Sequence, residues 1–156
     1  IDCAPALLLK DLDRVKSEFN GLKTSESMLL IGRRHLFCAN SWLHNAHRLV
    51  KGKNRCLLMI HPKDAEDCGL QDGQSAIITS RTGEVKVPIL ITDQMMKGVV
   101  SLPHGWGHNR KGTRLSVANE HAGVSVNDLT DDQLFDPISG NSTLNGVPVT
   151  IKPAFH

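Results

Sequence analysis

Aromatic residues, long apolar runs and an excess of charge are all scarce in this sequence. It has no Tyr, four Phe and two Trp among 156 residues. No apolar run reaches the ~18 residues needed to cross a bilayer, so no membrane span is predicted. The 18 Lys and Arg nearly balance the 16 Asp and Glu. The longest basic cluster, residues 51–55, is short and interrupted, which is typical of a solvated turn and predicts no nucleic-acid partner.

Cysteine motifs and glycine-rich phosphate loops are also missing. The four cysteines are Cys3, Cys38, Cys56 and Cys68, and no pair has the close spacing of a zinc or iron–sulfur site. No metal-ligating set is therefore predicted. A chain of this length buries a core without disulfides, so the cysteines are interpreted as small buried hydrophobes, either in a reducing compartment or with a redox-neutral role.

Residues 1–26 differ from the rest and are predicted to form one helix and a linker. Pro5 suits the first helical turn, and Gly21 suits a helix end. The apolar residues between them recur every three or four positions, which predicts an amphipathic helix with a polar outer face: Leu8, Leu9, Leu12, Val15 and Phe19. Residues 24–27 form the polar linker. The chain starts with Ile1 rather than Met, which indicates a fragment or a processed N-terminus.

Residues 27–156 are predicted to form one mainly β domain. Short apolar or alternating runs separated by turn residues predict six strands, at 28–31, 56–60, 75–80, 85–91, 98–102 and 147–151. Pro88 indicates a sheet edge or a bulge in the fourth strand. A single short helix is expected at 62–68, with Pro62 in its first turn and Gly69 at its end. This element pattern favours a β-barrel or a sandwich.

Two segments concentrate the polar and aromatic side chains. The first is residues 40–45 and the second is residues 104–108; together they hold both tryptophans and three of the eight histidines. Gly105 and Gly107 flank Trp106 and permit close approach of a ligand to the backbone. Indole, imidazole and amide groups combine flat apolar faces with donors and acceptors. The two segments therefore predict a site for a planar ligand rich in heteroatoms.

Plainer interpretations of both segments stay open. The glycines around Trp106 could form a tight turn whose indole fills the core. The polar residues of 40–45 could serve as helix caps and turn formers, with Ser41 as an N-cap. His104 and His108 could bind a metal, but a spacing of four needs a helix to bring both to one face, and the two glycines disfavour a helix.

The order of motifs along residues 27–153 resembles a known family. The motifs are Gly32-Arg33, Asn40-Ser41-Trp42-Leu43-His44-Asn45, His61-Pro62-Lys63-Asp64-Ala65, Gly69-Leu70-Gln71-Asp72-Gly73, Thr92-Asp93, Gly98-Val99-Val100, His104-Gly105-Trp106-Gly107-His108, Asn127-Asp128-Leu129-Thr130 and Asp136-Pro137-Ile138-Ser139-Gly140. In this order they resemble the C-terminal molybdopterin-dinucleotide-binding domain of the molybdopterin oxidoreductases. Formate dehydrogenases, nitrate reductases and dimethyl sulfoxide reductases belong to that superfamily.

The resemblance implies a fold and a cofactor. The implied fold is a six-stranded double-psi β-barrel, and the implied cofactor is molybdopterin guanine dinucleotide, with molybdenum or tungsten held by other domains. The residues implied to face the pterin form a first loop, a second loop and a third contact, namely Asn40, Ser41, Trp42, His44, Asn45, then His104, Gly105, Trp106, Gly107, His108, and Asn127. Residues 61–65 and 70–73 are implied to be structural.

The resemblance also implies what this chain lacks. No residue matches the metal ligand or the iron–sulfur cysteines of the whole enzymes, so this chain is expected to be non-catalytic alone. It is expected to work as a domain of a larger oxidoreductase, with the other domains as its partners, and to retain no cofactor as a fragment. The expected location is the cytoplasm or the periplasm of a prokaryote, with the cytoplasm preferred.

Two other functions are considered on the same fold. Double-psi barrels also serve as non-catalytic interaction modules, in which case the His and Trp loops would bind a protein partner. The barrel also occurs in small autonomous decarboxylases that depend on a self-cleaved serine. The only comparable step here is Ile138-Ser139-Gly140, so this third function is disfavoured.

Overall fold

The computed structural model describes residues 2–22 and 27–154. All six predicted strands are present, and their bounds are β1 Met28–Arg33, β2 Leu58–Ile60, β3 Ser75–Thr79, β4 Glu84–Ile91, β5 Val99–Pro103 and β6 Val147–Pro153. The helices are α1 Ala6–Leu22, α2 His47–Val50, α3 Pro62–Asp67 and α4 Ser116–Glu120, with 3-10 turns at Trp42–Asn45 and Val126–Asp128. The two predicted helices are confirmed as α1 and α3, whereas α2 and α4 were not predicted.

The six strands close into a barrel in the order β1, β5, β2, β4, β3, β6. The pairs β1–β5 and β2–β4 are parallel, and the other neighbours are antiparallel. As a result β5 lies between β1 and β2, and β2 lies between β4 and β5. The strands β1 and β2 are antiparallel to each other, and the loop that joins them passes over β5. The strands β4 and β5 are likewise antiparallel, and their loop passes over β2. Each of these loops forms a psi motif. The predicted double-psi barrel is confirmed, and the sandwich is excluded because the sheet closes.

Alternating side chains of the strands fill the barrel. In the β3–β4 hairpin, alternate residues face inward and their neighbours face outward. The inward residues are 0–8% exposed, namely Ala76, Ile78, Val85, Val87 and Ile89. Side chains of a strand alternate between the two faces of its sheet, so this period of two predicts which residues enter the core. A turn at residues 80–83 joins the two strands.

Pro88 marks neither an edge nor a bulge, so that prediction was wrong. The next residue, Ile89, donates its backbone N–H to the carbonyl of Gln74 on the β3 side. Successive N–H groups point to opposite sides of a strand, so the nitrogen of Pro88 faces the β2 side. Pairing between β4 and β2 starts only at Ile89, opposite Leu58. A proline is tolerated here because no ladder bond is needed from its nitrogen.

Helix α1 forms as predicted but does not bury its apolar stripe. Leu8, Leu12, Val15 and Phe19 are 47–59% exposed. The helix also runs through Gly21 to Leu22 instead of ending at the glycine. Arg14 connects it to the barrel domain through Asp136, at 3.6 Å. Residues 24–26 of the predicted linker lie outside the described residues, and the boundary between 26 and 27 stays a prediction.

The two motifs expected to be structural make structural contacts. His61 caps α3, because its Nδ1 accepts the N–H of Lys63 at 3.0 Å. Asp64 accepts the N–H of Gly98 at 2.7 Å, and Asp72 accepts that of Ile91 at 2.8 Å. Asp64 therefore links α3 to the residue before β5, and Asp72 links the turn before β3 to the last residue of β4. In residues 2–22 and 27–154, no helix is long and apolar enough to cross a membrane.

Candidate functional site

The two polar segments leave the barrel from neighbouring parallel strands. Arg33, the last residue of β1, lies opposite Pro103, the last residue of β5. The N–H of His104 then donates to the carbonyl of Arg33 at 2.9 Å and extends the pairing by one bond. Parallel strands end at the same edge, so the connections that follow them start side by side. This pairing brings residues 40–45 and 104–108 to one end of the barrel.

The backbones of the two segments are in direct contact. Gly105 has φ +91°, and a Cβ on it would lie 1.4 Å from the carbonyl oxygen of Asn40. Ala39 and Asn40 are themselves in the left-handed region, at φ 42° and 65°. The side chain of Asn40 accepts a hydrogen bond from Arg34. A glycine is required at 105 because any side chain would hold the segments apart.

Three aromatic rings form a cluster across the contact, called here the His44–Trp106–His108 cluster. His44 Nδ1 and His108 Nε2 are 2.7 Å apart, within hydrogen-bond distance. The ring centroids of His44 and Trp106 are 4.1 Å apart. His44 is 1% exposed and Trp106 is 7% exposed, while His108 is half-buried. The cluster links the two segments through their side chains.

Burial keeps both histidines of the cluster neutral. Burial, and after it the neighbouring His108, lowers the pKa of His44 to about 4, with the carbonyl of Gly105 acting in the opposite direction. Burial also lowers the pKa of His108. At neutral pH the hydrogen bond between the rings therefore needs one N–H and one bare nitrogen. Within the described part of the chain, His44 Nε2 and Trp106 Nε1 are buried and have no hydrogen-bond partner.

Of the remaining residues of the first segment, Ser41 and Asn45 make hydrogen bonds and Trp42 is exposed. The carbonyl of Ser41 accepts the N–H of His44 at 3.0 Å, but its side chain makes no capping bond. Asn45 Oδ1 accepts the N–H of Ala118 at 3.2 Å and holds α4 against this segment. Trp42 is 86% exposed. The capping role that was considered for Ser41 is thus wrong for its hydroxyl.

The second segment is held by a neighbouring connection. The N–H groups of Gly107 and His108 both donate to the carbonyl of Ala122, at 2.7 and 3.2 Å. A Cβ on Gly107 would meet Ser125 at 2.7 Å. Asn127, the predicted third contact, is exposed in the turn two residues after Ser125. The structure thus brings ten of the predicted site residues together and places Asn127 on the adjoining turn.

Two of the plainer interpretations can be compared with this geometry. Trp106 belongs to the hydrophobic core of the barrel, as the core-filling interpretation states. His104 and His108 are not on a helix, and His108 Nε2 already faces His44. Among the described residues, no group of three His, Cys, Asp or Glu side chains is arranged to hold a metal ion.

Arg33 joins the strands that lead into the site, and this structural role was not predicted. Its guanidinium donates to the Ser101 carbonyl at 3.0 Å and the Leu57 carbonyl at 2.9 Å. It therefore joins β1, β5 and the residue just before β2. No local sequence pattern predicts this role. Leu57 is 24 residues from Arg33, and its backbone carbonyl is a group that every residue carries.

Replacing Arg33 with methionine should destabilise this end of the barrel. The substitution leaves the carbonyls of Ser101 and Leu57 without their donor, at a cost of about 1–2 kcal/mol. Urea unfolding of the 156-residue chain would measure it. Arg33→Lys, which keeps the charge but cannot span both carbonyls, should lose a similar amount. A lysine variant of full stability would show that charge, not the forked geometry, matters.

Comparisons with known proteins agree on the family of the domain. A family model described as the Molydopterin dinucleotide binding domain matches residues 28–148. A tetrathionate reductase subunit of Salmonella typhimurium is 30% identical over 122 residues, which cover 67% of this chain and 12% of that protein. Trimethylamine-N-oxide reductase of Haemophilus influenzae is 34% identical over 94 residues, covering 56% of this chain and 11% of that protein. The chain thus spans only about an eighth of these relatives' length.

A solved structure shares the fold. Acetylene hydratase from Pelobacter acetylenicus matches with a TM-score of 0.70 and 19% identity, over 89% of this chain and 20% of that one. At this identity the match concerns the fold alone.

Proposed function

The chain belongs to the molybdopterin dinucleotide binding domain family, and on that premise we propose that its two polar segments hold the pterin of a guanine dinucleotide cofactor. The cofactor would sit in a larger molybdenum or tungsten oxidoreductase whose other domains hold the metal. The observation that carries the proposal is the meeting of residues 40–45 and 104–108 at one end of the barrel. The domain orients the cofactor and performs no chemistry alone.

The side chains at this end fit such a group. A pterin is a flat fused ring edged by hydrogen-bond donors and acceptors. His104 and His108 are half-buried, while Asn40 and Trp42 are exposed, so imidazole, amide and indole groups are available to a ligand. Within the described residues, His44 Nε2 and Trp106 Nε1 are buried without a hydrogen-bond partner, and both rings lie in the same cluster as His108. When bound, the cofactor supplies the redox chemistry, and the protein supplies orientation and hydrogen bonds.

Each residue of the cluster then has a defined task. His44 holds the ring of His108 through the 2.7 Å contact and fixes which nitrogen of His108 carries the proton. Trp106 packs against His44 and keeps water from the pair. Gly105 keeps the segments in contact. The loops therefore present a rigid set of donors and acceptors, which lowers the entropy lost when a ligand is ordered.

The direct test is cofactor retention by the intact parent enzyme. His104→Ala should weaken retention by about tenfold, because a polar group of the pterin loses its partner in a buried site. The measurement is the cofactor released on dilution, assayed as the oxidised pterin by fluorescence. His47→Ala, an exposed histidine outside the two segments, is the matched control. Unchanged retention in His104→Ala, alongside the control, would reject the assignment.

Exposed apolar residues favour a second role, as a contact surface for the rest of the parent enzyme. Leu36 is 92% exposed and Trp42 is 86% exposed, both in the connection after β1. Side chains of this size are enriched in the buried centres of interfaces. This role accompanies cofactor binding and does not replace it.

A further inference from the structure

The turn between β3 and β4 contacts the loop that carries Asn127, here called the 125–131 loop. A Cβ on Gly83 would lie 2.3 Å from the carbonyl oxygen of Asp128, so a glycine is required for the two backbones to approach this closely. The neighbouring Thr82 donates its hydroxyl to the carbonyl of Thr130 at 2.9 Å, across 48 residues of sequence. The turn is therefore fastened to the loop and does not project into solvent as a plain hairpin end.

Arg81 makes the third connection between the turn and the loop. Its guanidinium donates to both carboxylate oxygens of Asp131, each at 2.5 Å, and to Asp132 at 2.9 Å. Asp131 is 7% exposed and also accepts the N–H of Gln133 at 2.8 Å. A forked pair of this kind fixes orientation as well as distance. Residues 81–83 thus grip three positions of the loop and are called here the hairpin clamp.

The hairpin clamp and the second polar segment hold the same loop from two sides. Gly107 of that segment lies against Ser125, at the start of the loop, whereas the clamp contacts its end. Between them, the N–H of Asn127 donates to Ser125 Oγ at 3.3 Å, and the carbonyl of Asn127 accepts the Thr130 hydroxyl at 3.0 Å. Both backbone polar groups of Asn127 are therefore bonded within the loop, while its side chain is exposed.

We propose that Arg81 is a positioning residue, which holds the 125–131 loop through Asp131 so that the Asn127 amide faces the pterin beside the second polar segment. A side-chain amide offers a donor and an acceptor to the edge of a flat heterocycle. A loop that is already fixed loses less entropy when the ligand binds. Arg81 acts through the loop and does not touch the ligand. The inference rests on the proposed function, in which Asn127 is the third contact.

The first test needs no cofactor and measures amide hydrogen exchange in the 156-residue chain. The barrel has its own closed sheet and core, so this chain suffices. The N–H groups of Asp128 and Leu129 each donate to a carbonyl of the loop at 3.1 Å. Arg81→Met should speed their exchange about tenfold, because exchange follows local opening. The N–H of His104, which donates to the carbonyl of Arg33, should exchange as before.

Two results of this measurement would overturn the proposal. Unchanged exchange at Asp128 and Leu129 would mean that Arg81 does not hold the loop. Equal acceleration at these residues and at His104 would mean that Arg81→Met loosens the whole domain, so that no particular loop depends on the clamp.

The second test is cofactor retention by the intact parent enzyme, in a cycle of variants. Asn127→Ala should lower retention about fivefold and Arg81→Met about threefold, since a hydrogen bond to the ligand is lost or misaligned. In an Asn127→Ala background, Arg81→Met should cause no further loss, because the amide that it positions is gone. Equal losses in both backgrounds would give Arg81 a merely structural role and overturn the proposal.

Matched variants separate the clamp from ion pairs in general. The side chains of Lys63 and Arg81 are 50% and 51% exposed, and Lys63 pairs with Glu66 on α3, away from the clamp. Lys63→Met should leave retention unchanged. Thr82→Val removes one hydrogen bond of the clamp and keeps the test valid if Arg81→Met folds poorly. It should lower retention about twofold, and full retention in Thr82→Val and Arg81→Met alike would contradict the proposal.

Failure of this inference can be told apart from failure of the proposed function. If Asn127→Ala keeps its cofactor while His104→Ala loses it, the positioning role of Arg81 is wrong and the two polar segments remain the site. If neither variant loses cofactor, the proposed function is wrong as well.

Discussion

Gly105→Ala is expected to separate the two polar segments and to cost roughly 3 kcal/mol or more in the free energy of unfolding. The added Cβ would lie 1.4 Å from the carbonyl oxygen of Asn40, and the atoms on both sides belong to backbone. Normal contact at about 3.5 Å requires a shift of roughly 2 Å. Such a shift breaks the 2.7 Å contact between His44 and His108. The left-handed φ of +91° adds strain for any residue with a Cβ.

Gly112→Ala is a closely matched control for this substitution. Gly112 has φ +93°, but a Cβ there would meet nothing within 4 Å. It therefore carries the backbone strain without the collision, and its expected cost is about 1 kcal/mol. Urea unfolding of the two variants gives the difference that belongs to the contact between segments. Equal losses in the two variants would mean that the segments are not held together at this point.

The strands could be predicted because their signal is local. Residues 75–79 are rich in β-branched side chains, residues 84–87 alternate polar and apolar side chains, and turn residues separate the two runs. The start of β2 shows where this signal fails. Cys56 and Leu57 continue the apolar run, but the Leu57 carbonyl accepts from Arg33 and the Cys56 N–H donates to Asn54. These bonds take the place of a sheet ladder, and no local pattern reveals them.

The order of the strands in the barrel needed more than local pattern. The parallel pair β1–β5 joins Leu29 to Val99, which are seventy residues apart in the chain. Periodicity identifies both strands but says nothing about which neighbours they choose. The double-psi arrangement came from the resemblance of the motifs, and the site depends on it. Without this pairing the two polar segments would have no reason to share an end of the barrel.

The two tryptophans show the limit of composition as a guide to a site. Both lie among polar residues, yet Trp106 is 7% exposed and Trp42 is 86% exposed. The difference lies in their neighbours. Gly105 and Gly107 let Asn40 and Ser125 approach, and this close packing draws Trp106 into the core. Trp42 lies in a 3-10 turn without such glycines. The same residue type therefore buttresses one segment and projects from the other.

Helix α1 shows a different limit. The three- and four-residue spacing of its leucines predicted the helix correctly, but the spacing also predicted a buried face. That face is about half exposed, and a polar contact between Arg14 and Asp136 connects the helix to the barrel domain. Periodicity reports that a helix has an apolar side; it does not report which surface covers that side.

Lowering the pH from 7 to 4.5 is expected to destabilise the domain through His44. In the fold, burial and the nearby His108 lower the pKa of His44 to about 4, whereas a histidine of the unfolded chain has a pKa near 6.5. Between these values the unfolded chain binds the extra proton and the folded chain does not. Stability is therefore complete above pH 6.5 and is lost as the pH falls toward 4. The expected loss is roughly 2 kcal/mol, after allowance for screening by water at the half-buried His108.

The measurement is urea unfolding at intervals between pH 7 and 4.5, in the original chain and in two variants. His44→Gln keeps a hydrogen-bonding group beside His108 but cannot titrate, so its stability should depend much less on pH, with a remainder from His108, whose pKa burial also lowers. His47→Gln removes an exposed histidine and should retain the original pH dependence. The Asp131 carboxylate contributes little to the change in stability over this pH range. Arg81 lowers the pKa of Asp131 to about 2, so the stability that this carboxylate contributes is lost mainly below pH 4. An identical acid sensitivity in His44→Gln would show that His44 is not the group that binds the extra proton on unfolding.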